Sequence, residues 1–137
     1  MRRTVASPEA PKAIGPYSQA VLVESAAGKT LYCSGQIPLD PHTGEMVPGD
    51  ATAQTERIMS NVEALLAAAG MTFADVVKST VFLVDLADFA AMNAVYGRRF
   101  PESPPARSTV QVAALPRGAR VEVEVLAVVP APSGKAG

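Results

Sequence analysis

Apolar positions along this chain recur with two different periods, and the changes between them divide it into elements. Short aliphatic runs over 20–24 and 30–34, separated by Ser-Ala-Ala-Gly-Lys, predict a hairpin of two strands. Ile58, Met59, Val62, Leu65, Leu66 and Ala69 then recur at helical spacing, preceded by Asp50, which is suited to cap an N-terminus, and followed by Gly70, which stops the helix. The largely apolar run over 76–84 predicts a central strand buried on both faces, with Lys78 near its start in reach of water. Phe89, Met92, Val95 and Tyr96 form the stripe of a second helix that starts near Asp85 or Asp88 and ends before Pro101.

The stretch 104–129 reads as two alternating arms around a Pro/Gly turn at 115–119, hence a second hairpin. In its first arm Arg107, Thr109 and Gln111 point one way and Ala106, Ser108, Val110 and Val112 the other. In its second arm Glu122 and Glu124 alternate with Val121, Val123 and Val125. A hairpin gives the sheet one aliphatic face and one face carrying Arg107, Thr109, Gln111, Glu122 and Glu124. Glu122 then falls opposite about Gln111, roughly 13 Å along the strand from Arg107 at ~3.3 Å per residue. A site that uses both residues is therefore expected to form across a boundary between copies of the chain. The order strand, strand, helix, strand, helix, strand, strand predicts an α+β fold, two helices packed on one face of a mixed sheet. Its other face, with Leu126 and Val128, is expected to be buried by further copies.

Composition narrows the function classes more than it selects one. With 137 residues the chain is expected to be a single domain over 1–137, with 1–12 and 130–137 as loose termini. Twelve basic and 13 acidic residues give a formal net charge of -1, which supplies no global field for nucleic acid or an anionic membrane. One cysteine, Cys33, fits a reducing compartment, and one histidine, His42, leaves too few ligands for a His/Cys metal cage, so no metal is expected. The basic start MRRTVASPEAPKAIG lacks a following apolar stretch, and no run reaches membrane-span length, so the expected location is the cytoplasm.

Candidate chemistry centres on few side chains. Arg107, delivered by Pro104-Pro105-Ala106, can hold a carboxylate through two parallel hydrogen bonds; a surface ion pair with Glu122 or Glu124 is the simpler alternative. Glu122, if partly desolvated, can act as a general base toward water. Tyr17 follows a conformationally fixed Gly-Pro pair, and Ser34-Gly35 ends a strand where backbone can approach a ligand. Asn93 lies beside the stripe of the second helix, where a solvated role is the ordinary one. Cys33 reads as a buried strand thiol without chemistry.

Taken together, IGPYSQA at 14–20, SGQIP at 34–38, Asn61 with Val62, TVF at 80–82, Asn93, PARS at 105–108, LP at 115–116 and VEVE at 121–124 resemble the RidA/YjgF family of reactive-intermediate deaminases. The resemblance runs from about Lys12 to Val129. It implies a chorismate-mutase-like α+β fold assembled as a homotrimer with sites between subunits. It further implies hydrolysis of 2-imino acids or their enamines, such as 2-iminopropanoate and 2-iminobutanoate, to 2-keto acids and ammonia, without a cofactor. By the same resemblance Arg107 holds the substrate carboxylate, Glu122 activates the attacking water, Tyr17 and Asn93 line the cleft, and Ser34, Gly35 and the backbone near Thr109 contact substrate. Thr109 stands where some relatives carry cysteine. Two other functions remain open at this point: a keto-acid-binding regulator without turnover, and a ribonuclease or translation inhibitor. Charge makes an RNA partner the less expected one.

Overall fold

The computed structural model describes residues 1–132 of the chain. Six strands and two helices follow in the order β1 (Arg2–Val5), β2 (Ala20–Ser25), β3 (Gly28–Cys33), α1 (Ala51–Ala68), β4 (Val76–Leu83), α2 (Phe89–Gly97), β5 (Ala106–Gln111) and β6 (Val121–Pro130). They form one mixed sheet of order β1-β2-β3-β6-β4-β5 with both helices on one face, the α+β arrangement expected from the sequence.

Local chemistry explains most boundaries. Asp50 accepts a hydrogen bond from the amide of Ala53 and caps α1. Gly70, at φ 73°, closes the other end, with Met71 N donating to Leu66 O at 2.8 Å. Ile58, Met59, Val62, Leu65 and Leu66 of α1 are fully buried against the strands, each contributing about 1.5–3 kcal/mol by leaving water. β2 and β3 form the expected hairpin, with Ser25 opposite Gly28. A short 3₁₀ turn, Leu86–Asp88, capped by the Asp85 carboxylate, precedes α2.

Three expectations are corrected. Residues 2–5 are not a loose arm: they pair with β2 as an edge strand. The expected tail at 130–137 opens with Pro130, the end of β6, and residues 133–137 lie outside the described part. Most consequentially, β5 and β6 are not a hairpin. β4 lies between them, antiparallel to β6 and parallel to β5, with α2 as the crossover. The connection passes the end of β4, where Val112 N bonds Leu83 O and Val84 N bonds Arg120 O. The physical reason is in the side chains. Val121, Val123 and Val125 face the helices and need apolar neighbours, which Val81 and Leu83 of β4 supply; β5 offers Arg107, Thr109 and Gln111 there instead. The strand with the more polar helix-side set is placed at the edge.

β4 is an interior strand next to the edge strand β5 rather than a central one, and it is buried on one face only. Ser79, Val81 and Leu83 are sealed under the helices, while Lys78, Thr80 and Phe82 face the open side. That open side carries Val23, Tyr32 and Val110, all exposed, and neither α1 nor α2 covers it.

Candidate active site

The residues that the sequence pointed to fall into two groups, one on each face of the sheet. Glu122 of β6 points to the open face and lies in a cavity of about 380 Å³ lined also by Ile14, Tyr17, Ser34, Gly35, Ile37 and Pro116. Here loops do the positioning. Gln36 exchanges backbone hydrogen bonds with Val123, at 2.8 and 3.1 Å, and lays the segment after β3 alongside β6. Gly35 thus faces Glu122 so closely that an added Cβ would collide with the carboxylate. Asn61, fully buried in α1, donates to Leu39 O at 3.1 Å and holds the loop that carries Ile37. Ser34 donates its hydroxyl to Ser18 O at 2.6 Å. Tyr17 Oη accepts the amide of Ile14 at 3.2 Å. Gln19, buried, ties down the preceding segment through Ser7, Ala10 and Pro11, so the half-exposed ring of Tyr17 stands on a fixed loop.

Burial raises the proton affinity of Glu122 above that of an ordinary glutamate, and the nearby charge of Glu124 raises it further. A carboxylate so placed is a stronger base than a solvated one.

Arg107 belongs to the other face. Ser79 of β4 is its register partner and pairs in turn with Val125 of β6, so Arg107 shares the helix side with these buried residues. Its Nη1 donates to Asn93 Oδ1 at 2.8 Å, and its Cζ lies 4.9 Å from the Tyr96 ring centroid and 5.6 Å from that of Phe89. All three contacts come from α2. Among the described residues no carboxylate lies in ion-pair range of this guanidinium, so the ion pair with Glu122 or Glu124 does not form. Thr109, two residues on, turns to the same side, and its Oγ1 is buried with no hydrogen-bond partner.

Arg107 and Glu122 therefore do not share a face, contrary to the hairpin expectation. β4 sets Arg107 level with Ser79, and Glu122 level with Phe82, with β4 between the two strands. Their strand positions are about 14 Å apart at standard sheet spacings. Separation stands, for a stronger reason than register: the sheet itself lies between the side chains. Sequence reasoning placed Phe89 and Tyr96 in an ordinary helix stripe and missed their contact with Arg107. The available signal was spacing, since Phe89, Asn93 and Tyr96 at i, i+4 and i+7 share one helix face.

Among the described residues no group of three His, Cys, Asp or Glu side chains is close enough to hold a metal ion, and no helix is long and apolar enough to cross a membrane. Cys33 is buried and its thiol pKa is pushed up to about 12 by desolvation, so it supplies no thiolate.

Known proteins share this arrangement of sequence and fold. Protein DfrA of Myxococcus xanthus is 61% identical over 127 residues, covering 93% of this chain and 95% of its own. The 2-iminobutanoate/2-iminopropanoate deaminase of Capra hircus is 49% identical over 128 residues, with 93% and 90% covered. The crystal structure of E. coli TdcF with bound serine is 42% identical, with a TM-score of 0.84, and covers 93% of this chain and 98% of that one. Residues 7–129 match the sequence model of the family described as Endoribonuclease L-PSP, and the chain belongs to that family, the RidA/YjgF family.

Proposed function

We propose that the protein is a hydrolytic deaminase of 2-imino acids, acting at sites formed between the subunits of a homotrimer in the cytoplasm. Arg107 of one copy receives the substrate carboxylate on the guanidinium donors that Asn93 leaves free. Glu122 of another copy takes a proton from water as the water oxygen attacks the electrophilic C2 of the imine, and hands that proton on to the imine nitrogen, which gives a neutral carbinolamine. Glu122 then takes the hydroxyl proton of the carbinolamine and passes it to the amine nitrogen, which leaves as ammonia, so that the 2-keto acid forms and the carboxylate is ready for the next water. Orientation and proton transfer are all that this chemistry asks of the protein. Tyr17, Ser34, Gly35, Asn93 and Thr109 are assigned to the walls of the cleft.

The observation that carries the reading is the division itself: a guanidinium with no counter-ion among the described residues on one face, and a carboxylate of raised proton affinity in a cavity on the other. The open sheet face, with Val23, Tyr32 and Val110 exposed, supports assembly as the means of joining them. The deaminase name carried by the goat relative, and the amino acid bound to TdcF, support a small carboxylate-bearing substrate.

The test is release of 2-keto acid from freshly generated 2-iminopropanoate and 2-iminobutanoate, with subunits mixed. Arg107→Ala and Glu122→Gln proteins are each expected to keep at most about a hundredth of wild-type kcat/KM, and their one-to-one mixed trimers to regain about a quarter of it, because one interface in four then holds both native residues. No regain on mixing rejects the shared site. Keto-acid binding without any turnover by the wild type selects the regulator instead.

A further inference from the structure

The hydroxyl of Tyr96 is unexpected where it lies. The residue is only 5% exposed, and its Oη is 2.5 Å from Ser79 Oγ, itself buried in β4. Ser79 is the register partner of Arg107. This hydrogen bond therefore ties α2 into the sheet directly beside the strand position of the guanidinium. The ring of Tyr96 lies 4.9 Å from Arg107 Cζ, and Asn93, three residues earlier on the helix, accepts its Nη1 at 2.8 Å.

An arginine on an edge strand must give up rotamer freedom before it can present a fixed fork. Contacts from a helix fix that fork only if the helix is fixed in turn. α2 has nine residues, and its N-cap Asp88 makes no side-chain cap bond. Instead Asp88 takes Arg120 at 3.1 Å, which anchors that end of the helix. Farther along, Met92 and Val95 pack against the core without directional preference. The Tyr96–Ser79 hydrogen bond adds the direction that apolar packing lacks. Burial raises the phenol's pKa, against smaller opposing effects of Ser79 and Arg107, so the group stays neutral and keeps its proton.

We propose that Tyr96, seated on Ser79, is the positioning residue of the carboxylate clamp, holding the Arg107 guanidinium in the plane where its free N–H groups meet the carboxylate of a 2-imino or 2-keto acid. The proposal deepens the deaminase reading and rests on its assignment of Arg107 to the carboxylate. Tyr96 itself does not touch the substrate.

Titration calorimetry with 2-oxobutanoate and its carboxamide, on wild type, Tyr96→Phe, Ser79→Ala and the double variant, tests it. Each single variant leaves a buried hydroxyl without its partner and is expected to melt at a lower temperature; the double variant removes both and regains much of that loss. A merely structural role predicts that affinity returns with stability. The positioning role predicts otherwise: the preference for carboxylate over carboxamide narrows about five- to tenfold in all three variants, the double variant included, as for a misplaced recognition group. Wild-type preference in the double variant, an equal loss for both probes, or no preference in the wild type overturns the proposal. Because no turnover is read, a wild type that binds the keto acid but hydrolyses no imino acid overturns only the deaminase reading.

Discussion

Arg107 is held by the side chains of a helix, whereas Glu122 stands in a cavity walled by loops. At Arg107 the hydrogen bond and the two ring contacts of the guanidinium are side chain to side chain, from Phe89, Asn93 and Tyr96 on one helical face. Around Glu122 one wall is Gly35, where even a methyl group would collide with the carboxylate, and the walls come from three separate loops. The difference fits the tasks proposed for the two residues. Recognising a carboxylate requires a guanidinium fork with a fixed plane, which rigid packing supplies. Activating water requires a carboxylate that is partly dry yet open to substrate, which a loop cavity supplies.

The comparison is broken most severely by removing either functional group, and the two losses differ in kind. Arg107→Ala is expected to lower kcat/KM about a thousandfold, chiefly through KM, since a desolvated charge pair with the substrate is lost. Glu122→Gln is expected to lower kcat about a hundredfold with little change in KM. Steady-state kinetics on both variants distinguish these patterns; the same pattern in each removes the division of labour.

A smaller effect probes the loop side alone. Gly35→Ala sets a methyl where the Glu122 carboxylate now lies, while the backbone there needs no positive φ. We expect about a tenfold fall in kcat, KM unmoved, as the carboxylate swings aside. An unaffected kcat means that the close approach has no role.

The smallest effect lies in pH. Because burial, and then Glu124, raise the Glu122 pKa, the folded chain binds a proton there more tightly than the unfolded chain. The acid limb of kcat/KM should accordingly fall above the ordinary glutamate range. In stability the sign is opposite to that of a paired carboxylate: the contribution is fully present at acid pH and is lost as pH rises through the raised value. Glu122→Gln should flatten that slope and melt higher than wild type near neutrality; a lower melting point there contradicts the desolvation.

Much of this was legible in the residues. Asp50, Gly70 and the α1 stripe mark that helix, and the alternation in each strand correctly sorts Arg107 with Thr109, and Glu122 with Glu124. What alternation does not carry is the relation between strands. The same two patterns suit a hairpin, which puts Arg107 and Glu122 on one face, and an inserted β4, which puts them on opposite faces. The Pro-Arg-Gly turn at 116–118, with Arg117 at φ 58°, reads as a hairpin turn in isolation, and only the competition of Val121, Val123 and Val125 for apolar neighbours decides against it. The short N-terminal strand carried no signal at all, since Arg2, Arg3 and Thr4 remain exposed and its order comes from pairing with β2.

The position of β6 bears also on how the chain is made. In space it joins β3 to β4; in synthesis it is the last of the six described strands to appear. While the polypeptide emerges, the β1–β3 meander and the β4–β5 ribbon have no sheet contact with each other, and both leave an open edge awaiting the same partner. Chains stalled or cut before Val121 thus display two unsatisfied edges at once, one of them beside Val81 and Leu83, and are the species most exposed to aggregation.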